Sequence, residues 1–363
     1  MRKLLWGTLI SIFAAATAAF LFAWSGIYSI AASSGHLAVV SKFLQFGMQN
    51  SVRTYAMGIV VPPLGPAHVE QGMLYFQSGC APCHGAPGRS RNPVALGMLP
   101  QPPDLTGVSD DWSDAQLFWI VKHGIKYTGM PAWPAPSRDD EVWALVGFLR
   151  RMPQIPAGEY KAATRLRDGE SQGARTMANE GLIVGPFACG GCHGARGEGS
   201  PLGGVPRLAG QKTAYLEMAL EEFAAGTRPS GMMAPPAANL DRQQRAELAR
   251  YYSSIKLDEV VKSDTSEKTV KSRQLGAMLA EQGAPMRGIP ACQACHGRDG
   301  RASDNILQYP ALAGQHTIYL TNQLRLFRAG KRGGRLANVM SAAAHGLTDE
   351  DIEGVAIYYS TLK

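Results

Sequence analysis

The chain has 363 residues, 18% of them charged and 45% hydrophobic. That length suits two or three ordinary domains, and the balance excludes both a disordered chain and a wholly membrane-embedded one. The formal charge is +7, but no lysine/arginine block of the length that grips nucleic acid is present, so that partner class is set aside.

The first acidic residue is Glu70. Arg2 and Lys3 open the chain, and the next charge is Lys42. Leu4 to about Ala32 is uncharged and apolar. A helix needs about 20 such residues to cross a bilayer, whereas the apolar core of a cleaved leader runs about 7–15. Residues 1–35 therefore read as an uncleaved transmembrane anchor. Arg2 and Lys3 place its start in the cytoplasm and the remainder of the chain outside. Trp24 and Tyr28 suit the outer interface. Residues 36–67 come next, and 37–61 stay apolar with single charges at Lys42 and Arg53. Three readings stand for this segment: an amphipathic helix on the membrane surface, a docking site for a membrane partner, or a short helix packed on the next domain.

Beyond it lie three short motifs: CAPCH at 80–84, CGGCH at 189–193 and CQACH at 292–296. They use all six cysteines, and their first cysteines are 109 and then 103 residues apart. Each leads into a Gly/Pro-rich stretch and then a terminal helix, which divides the chain into units at 68–155, 172–256 and 272–363. The last two units repeat one another. PRLAGQKTAYL (206–216) parallels PALAGQHTIYL (310–320), and ARYYSSIK (249–256) parallels AIYYSTLK (356–363). RMPQIPAGEY (151–160), with the polar residues up to about 172, and KLDEVVKSDTSEKTVKS (256–272) read as exposed linkers.

Caps and periodicity give the terminal helices. Ser137-x-x-Asp140 precedes the stripe Val142, Leu145, Val146, Leu149. Asp241-x-x-Gln244 precedes Leu248, Tyr251, Tyr252, Ile255. Thr348-x-x-Asp351 precedes Ile352, Val355, Ala356, Tyr359. A further helix starts at Ser113 with Gln116 as its box partner. Short helices are expected before each cysteine pair, around 68–78, 171–181 and 272–282. No segment alternates with period two, so the fold class is all-α: three small helical bundles in tandem after a transmembrane helix.

A disulfide across two residues leaves the adjoining histidine without a purpose. A structural zinc needs a second pair of ligands close by, and here the pairs stand about a hundred residues apart. A thioredoxin-type pair needs an α/β pattern. What remains is covalent c-type haem, one at each motif. Cys80 and Cys83, Cys189 and Cys192, and Cys292 and Cys295 would bond the porphyrin vinyl groups. His84, His193 and His296 would then bind the iron. Three haems carry about six propionate charges, which nearly cancel the basic excess. The methionines Met130, Met233 and Met340 are the expected ligands on the opposite side. Met130, between Gly129 and Pro131, stands in a loop before the last helix of its unit. Met233 is preferred to Met232 because it and Met340 both lie seven residues before a leucine, Leu240 and Leu347. His123, His316 and His345 compete for the same positions. Arg207, Gln211, Tyr215, Gln315 and Tyr319 are candidates to bond the propionates.

On these motifs the chain resembles class I cytochromes c from about residue 68 to 363. The PxLAGQxxxYL stretch, the methionine loop and the closing YYS helix make the last two units similar to the two-haem cytochromes of bacterial respiratory chains. That resemblance implies two domains facing each other about a pseudo-twofold axis, with propionates near the interface. The first unit, with CAPCHG, PPDL (102–105), HGI (123–125) and TGMPAW (128–133), is similar to single-haem domains of membrane-anchored cytochrome subunits. The implied protein is a single-pass inner-membrane triheme cytochrome c with its haem domains in the periplasm. It would pass single electrons between respiratory partners, to or from a terminal oxidase or a quinol-oxidising complex, and would perform no substrate chemistry. The alternative is the cytochrome subunit of a membrane-bound periplasmic dehydrogenase. A multihaem peroxidase would instead need one haem lacking its distal ligand, with an acid/base group nearby.

Overall fold

The computed structural model describes residues 2–31, 33–106, 111–164, 189–194, 196–256, 266–302 and 308–362. Among them there is no strand, only two isolated bridges, Ala86 with Arg89 and Ala284 with Ile289. Their fold is helical throughout.

Helix α1 (Arg2–Trp24) has 23 residues, a mean hydropathy of 2.0 in its most apolar window, and no buried residue. At 1.5 Å per residue it is about 34 Å long, enough to cross a bilayer core. It stops well short of Ala32. Gly26 takes φ +64°, and the Ser25 hydroxyl donates to the Phe22 carbonyl at 2.7 Å, so the turn closes there despite the apolar residues beyond it.

Helix α2 (Ala38–Tyr55) behaves as two halves. Its end packs against residues 114–123: Val52 is buried, and Tyr55 stacks on Trp119 with centroids 5.9 Å apart. Its beginning leaves Val39, Phe43 and Phe46 exposed. Packing on the next domain thus accounts for the second half only.

The first helical group crosses α3 (Pro66–Gly79) with α7 (Asp139–Arg151). The contact depends on Gly72, where a Cβ would lie 1.9 Å from the Ala144 carbonyl oxygen. Phe76 and Phe148 meet beside it, with centroids 5.1 Å apart. Between these helices run the single turns α4 (Ala81–His84) and α5 (Pro93–Leu96), and then α6 (Asp114–His123). Helix α8 (Ala157–Thr164) folds back onto the group. Met152 and Tyr160 are buried, and the Tyr160 hydroxyl donates to Gln77 at 2.7 Å. Residues 151–160 are thus mostly exposed, as their prolines suggest, but Met152 and Tyr160 anchor the stretch in the core.

The second group holds α9 (Gly190–His193), α10 (Thr213–Ala224), α11 (Ala234–Ala238) and α12 (Arg242–Ser254). Leu216, Leu248 and Tyr252 form its core. The third group holds α13 (Glu267–Gln282), α14 (Gln293–His296), α15 (Thr317–Arg328), α16 (Ala337–Ala344) and α17 (Asp349–Thr361). Helices α13 and α17 cross as α3 and α7 do, with a Cβ on Gly276 falling 2.0 Å from the Gly354 carbonyl oxygen. The helix expected at 171–181, and residues 165–172 and 257–265 of the two linkers, lie outside the described residues.

Capping boxes form at Ser113/Gln116, Asp241/Gln244 and Thr348/Asp351. Ser137 does not cap α7. The N-cap is Arg138, whose guanidinium forks onto Asp140 at 2.8 and 2.7 Å.

The groups touch one another. Gln211 and Gln315 each cross to the backbone of the opposite PxLAGQ stretch. His316 donates from Nε2 to the Glu198 carbonyl at 2.9 Å. Lys331 of the third group pairs with Asp139 of the first at 3.1 Å. Gln71 of the first donates to the Gly204 carbonyl of the second at 3.1 Å.

Candidate haem-binding sites

Each CxxCH motif folds as a single helical turn. The histidine amide donates to the carbonyl of the first cysteine, at 2.9 Å for His84 and His193 and 3.0 Å for His296. That turn sets two sulfurs and one imidazole side by side. The next residue is glycine every time, at φ +75°, +79° and +77° for Gly85, Gly194 and Gly297, a conformation in which a side chain would be strained. All six cysteines are free thiols and partly buried. Burial pushes Cys80 up to about 12 and Cys192 and Cys292 up to about 11. Thiols raised in this way are unlike the low-pKa thiols of redox-exchange pairs.

The three imidazoles share one further feature. His84 Nδ1 lies 2.9 Å from the Pro103 carbonyl oxygen, His193 Nδ1 2.9 Å from that of Pro206, and His296 Nδ1 3.1 Å from that of Pro310. A carbonyl only accepts, so Nδ1 carries the proton and Nε2 keeps its lone pair for a metal. Burial lowers the pKa of all three, most directly for His193 and His296, which are about 5% exposed. The sequence displays these prolines in PPDL, PRLAG and PALAG, but a backbone carbonyl leaves no residue-type signature.

All six cysteines and all three histidines line one connected cavity of about 3220 Å³. A single small-molecule pocket measures about 300–1,000 Å³, so this is the volume of three large pockets joined. Met130, Met232, Met233 and Met340 line it too. The two adjacent methionines separate by packing. Met232 lies against the core of the first group, and Met233 against Ala219, Phe223 and Ala237 of the second. Among the competing histidines, His345 is exposed and outside the cavity. His316 is engaged with Glu198. His123 lines the cavity, but its ring packs on Trp119 with centroids 5.1 Å apart.

Two arginines at equivalent places in the repeats, Arg228 and Arg332, also line the cavity. Arg228 is buried, and its guanidinium lies 3.4 Å from both the Tyr215 and the Tyr319 hydroxyl. Burial and the charge of Arg228 together pull Arg332 down to about 10. The Tyr359 hydroxyl is buried there without a hydrogen-bond partner. Arg228 is buried and Arg332 half-buried; a cation so placed calls for an anion, and porphyrin propionates are anions of the right kind. Gln211 and Gln315 bond across the interface through their amides, while Tyr215 and Tyr319 converge on Arg228. Thiol pairs, imidazoles with a free Nε2, methionine sulfur, apolar walls and these cations together fit covalently bound haem c.

Comparison with known proteins agrees. Residues 67–149 match the family described as cytochrome c oxidase, cbb3-type, subunit III. Residues 172–256 and 277–363 each match the family described as cytochrome c. The thiosulfate dehydrogenase electron acceptor of Stutzerimonas stutzeri (strain A1501) is 32% identical over 192 residues, 53% of this chain and 87% of that protein. Cytochrome c4 of Thiocapsa roseopersicina is 31% identical over 205 residues, 56% of this chain and 98% of that one. The crystal structure of reduced recombinant cytochrome c4 from Pseudomonas stutzeri is 33% identical, covers 48% of this chain and 93% of that chain, and has a TM-score of 0.44. These relatives are electron-transfer proteins and not catalytic enzymes. With two stretches matching the cytochrome c family, and relatives 32% and 31% identical spanned over most of their length, the chain belongs to the cytochrome c family.

Proposed function

We propose that this protein is a membrane-anchored triheme cytochrome c that carries single electrons between redox partners on the periplasmic side of the inner membrane. The observation that carries the reading is the threefold recurrence of one geometry: a CxxCH turn, a proline carbonyl on Nδ1, and a joined cavity with a methionine from the same group. We assign His84 and Met130 to the first iron, His193 and Met233 to the second, and His296 and Met340 to the third. The haem supplies one-electron exchange. The chain's residues do the rest. The proline carbonyls hold each imidazole and raise its basicity. Met130, Met233 and Met340 would supply sulfur that favours the reduced state. Arg228 and Arg332 would balance the propionates.

Two partner assignments have support of different kinds. The match of residues 67–149 to an oxidase-subunit family favours delivery towards an oxidase. The relatives named as electron acceptors of thiosulfate dehydrogenase favour a periplasmic dehydrogenase as donor. The two are compatible, with electrons entering at the second and third haems and leaving through the first. Purification in mild detergent tests the reading. The native protein should fractionate with the membrane and bring an oxidase or dehydrogenase with it, and its denatured polypeptide should retain three haem equivalents. Fewer than three equivalents, or pigment released on denaturation, overturns the assignment.

A further inference from the structure

Glu141 stands in the first turn of α7 and is 1% exposed. Its Oε2 accepts from Trp133 Nε1 at 2.9 Å and from the Gly231 amide at 2.7 Å. Its Oε1 accepts from the Ser230 hydroxyl at 2.6 Å and faces Arg138 Nη1 at 3.1 Å. Three of these four partners can only donate, which favours the carboxylate against the burial that pushes its pKa upward.

The partners belong to two different loops. Trp133 lies three residues after Met130. Ser230 and Gly231 immediately precede Met232 and Met233. The Ser230 hydroxyl in turn accepts from the amides of Met232 at 3.3 Å and Met233 at 3.1 Å. Arg138 adds a bond to the Pro229 carbonyl at 2.9 Å. The loops are in direct contact: a Cβ on Gly231 would lie 2.3 Å from the Trp133 indole.

We propose that Glu141 is a positioning residue that ties the methionine loops of the first and second haem sites together, so that ligation and potential at those two sites respond to it jointly and the third does not. The proposal rests on Met130 and Met233 being iron ligands. A surface ion pair would be screened and worth little. A buried carboxylate bonded to both methionine loops instead favours the more positive, oxidised state of the groups those loops serve, so removing its charge should raise both potentials.

The test uses full-length holoprotein in detergent. Haem count and the near-red methionine-to-iron charge-transfer band of the wild type are measured first; fewer than three haems, or no band, overturns the ligand reading itself. Met130→His and Met233→His then identify which midpoint belongs to which site, since each lowers its own. With these in hand, Glu141→Gln should shift the first and second midpoints upward in a spectroelectrochemical titration and leave the third in place. Trp133→Phe should move only the first, and Ser230→Ala only the second. Unmoved first and second midpoints in folded Glu141→Gln, or an equal shift of all three, overturns the proposal. If Glu141→Gln does not accumulate, silent midpoints in both single-loop variants overturn it equally.

Discussion

Gln211 and Gln315 occupy the same place in their repeats, and each bonds both backbone groups of the residue four before its partner. Gln211 donates to the Ala311 carbonyl at 3.0 Å and accepts from the Ala311 amide at 2.7 Å. Gln315 donates to the Arg207 carbonyl and accepts from the Arg207 amide, both at 2.9 Å. The exchange is reciprocal, as a pseudo-twofold axis between the second and third groups requires.

Replacing either glutamine by alanine strands one backbone donor and one acceptor in a buried interface. Each change should lower stability by about 1–3 kcal/mol. Because both bridge the same interface, the double variant should fall short of the sum. Denaturant unfolding of the four holoproteins measures it; strict additivity with negligible single losses would refute the claim that these amides hold the two groups together.

Gly72 and Gly276 let two helix pairs approach backbone to backbone. Alanine at either should cost roughly 1–3 kcal/mol by overpacking, since its Cβ would stand about 2 Å from a carbonyl oxygen. Gly79 has nothing within 4 Å of its would-be Cβ, so Gly79→Ala should leave the melting temperature unchanged or slightly higher. Thermal melts monitored by far-UV dichroism compare the three.

Asp351 is buried within the last helix's capping box. Burial pushes its carboxyl up, but hydrogen bonds from Arg287 and Thr348 outweigh this and hold it below its ordinary 3.8. A folded value below the unfolded one means that the stabilisation is present above about pH 4 and is lost as pH falls through the folded value. Melting temperature should therefore drop steeply on the acid side below about pH 4. Asp351→Asn should be less stable at neutral pH and show a shallower acid limb; parallel limbs in the two proteins would count against this role.

The neighbours Met232 and Met233 pack on different groups. Met233→Ala should remove about a third of the near-red sulfur-to-iron band, as expected for one ligand in three. Met232→Ala should leave the band intact. The reverse result would transfer the ligand role to Met232.

The parts legible in the sequence are those carried by neighbours three or four residues apart. The boxes at Ser113, Asp241 and Thr348 form as their spacing predicts, and the six cysteines, three histidines and three methionines all line one cavity. Ser137 is no cap because Arg138 is drawn to Asp140, Glu141 and the Pro229 carbonyl, a partner ninety-one residues away. Tyr160 reads as exposed in the sequence because its partner, Gln77, is 83 residues earlier. The proline carbonyls, Arg228 and Arg332 escape a sequence reading for the same reason. Their purpose emerges only when distant segments meet.

Trp24 closes the apolar helix and Ala38 opens the next. The intervening thirteen residues span at most about 45 Å when fully extended. On the proposed reading, with the first helix in lipid, that segment would act as a leash. It would confine the first haem to a thin layer above the bilayer and turn its search for a partner in the same membrane from three dimensions into two. The effective concentration seen by such a partner would be set by leash length and not by expression level.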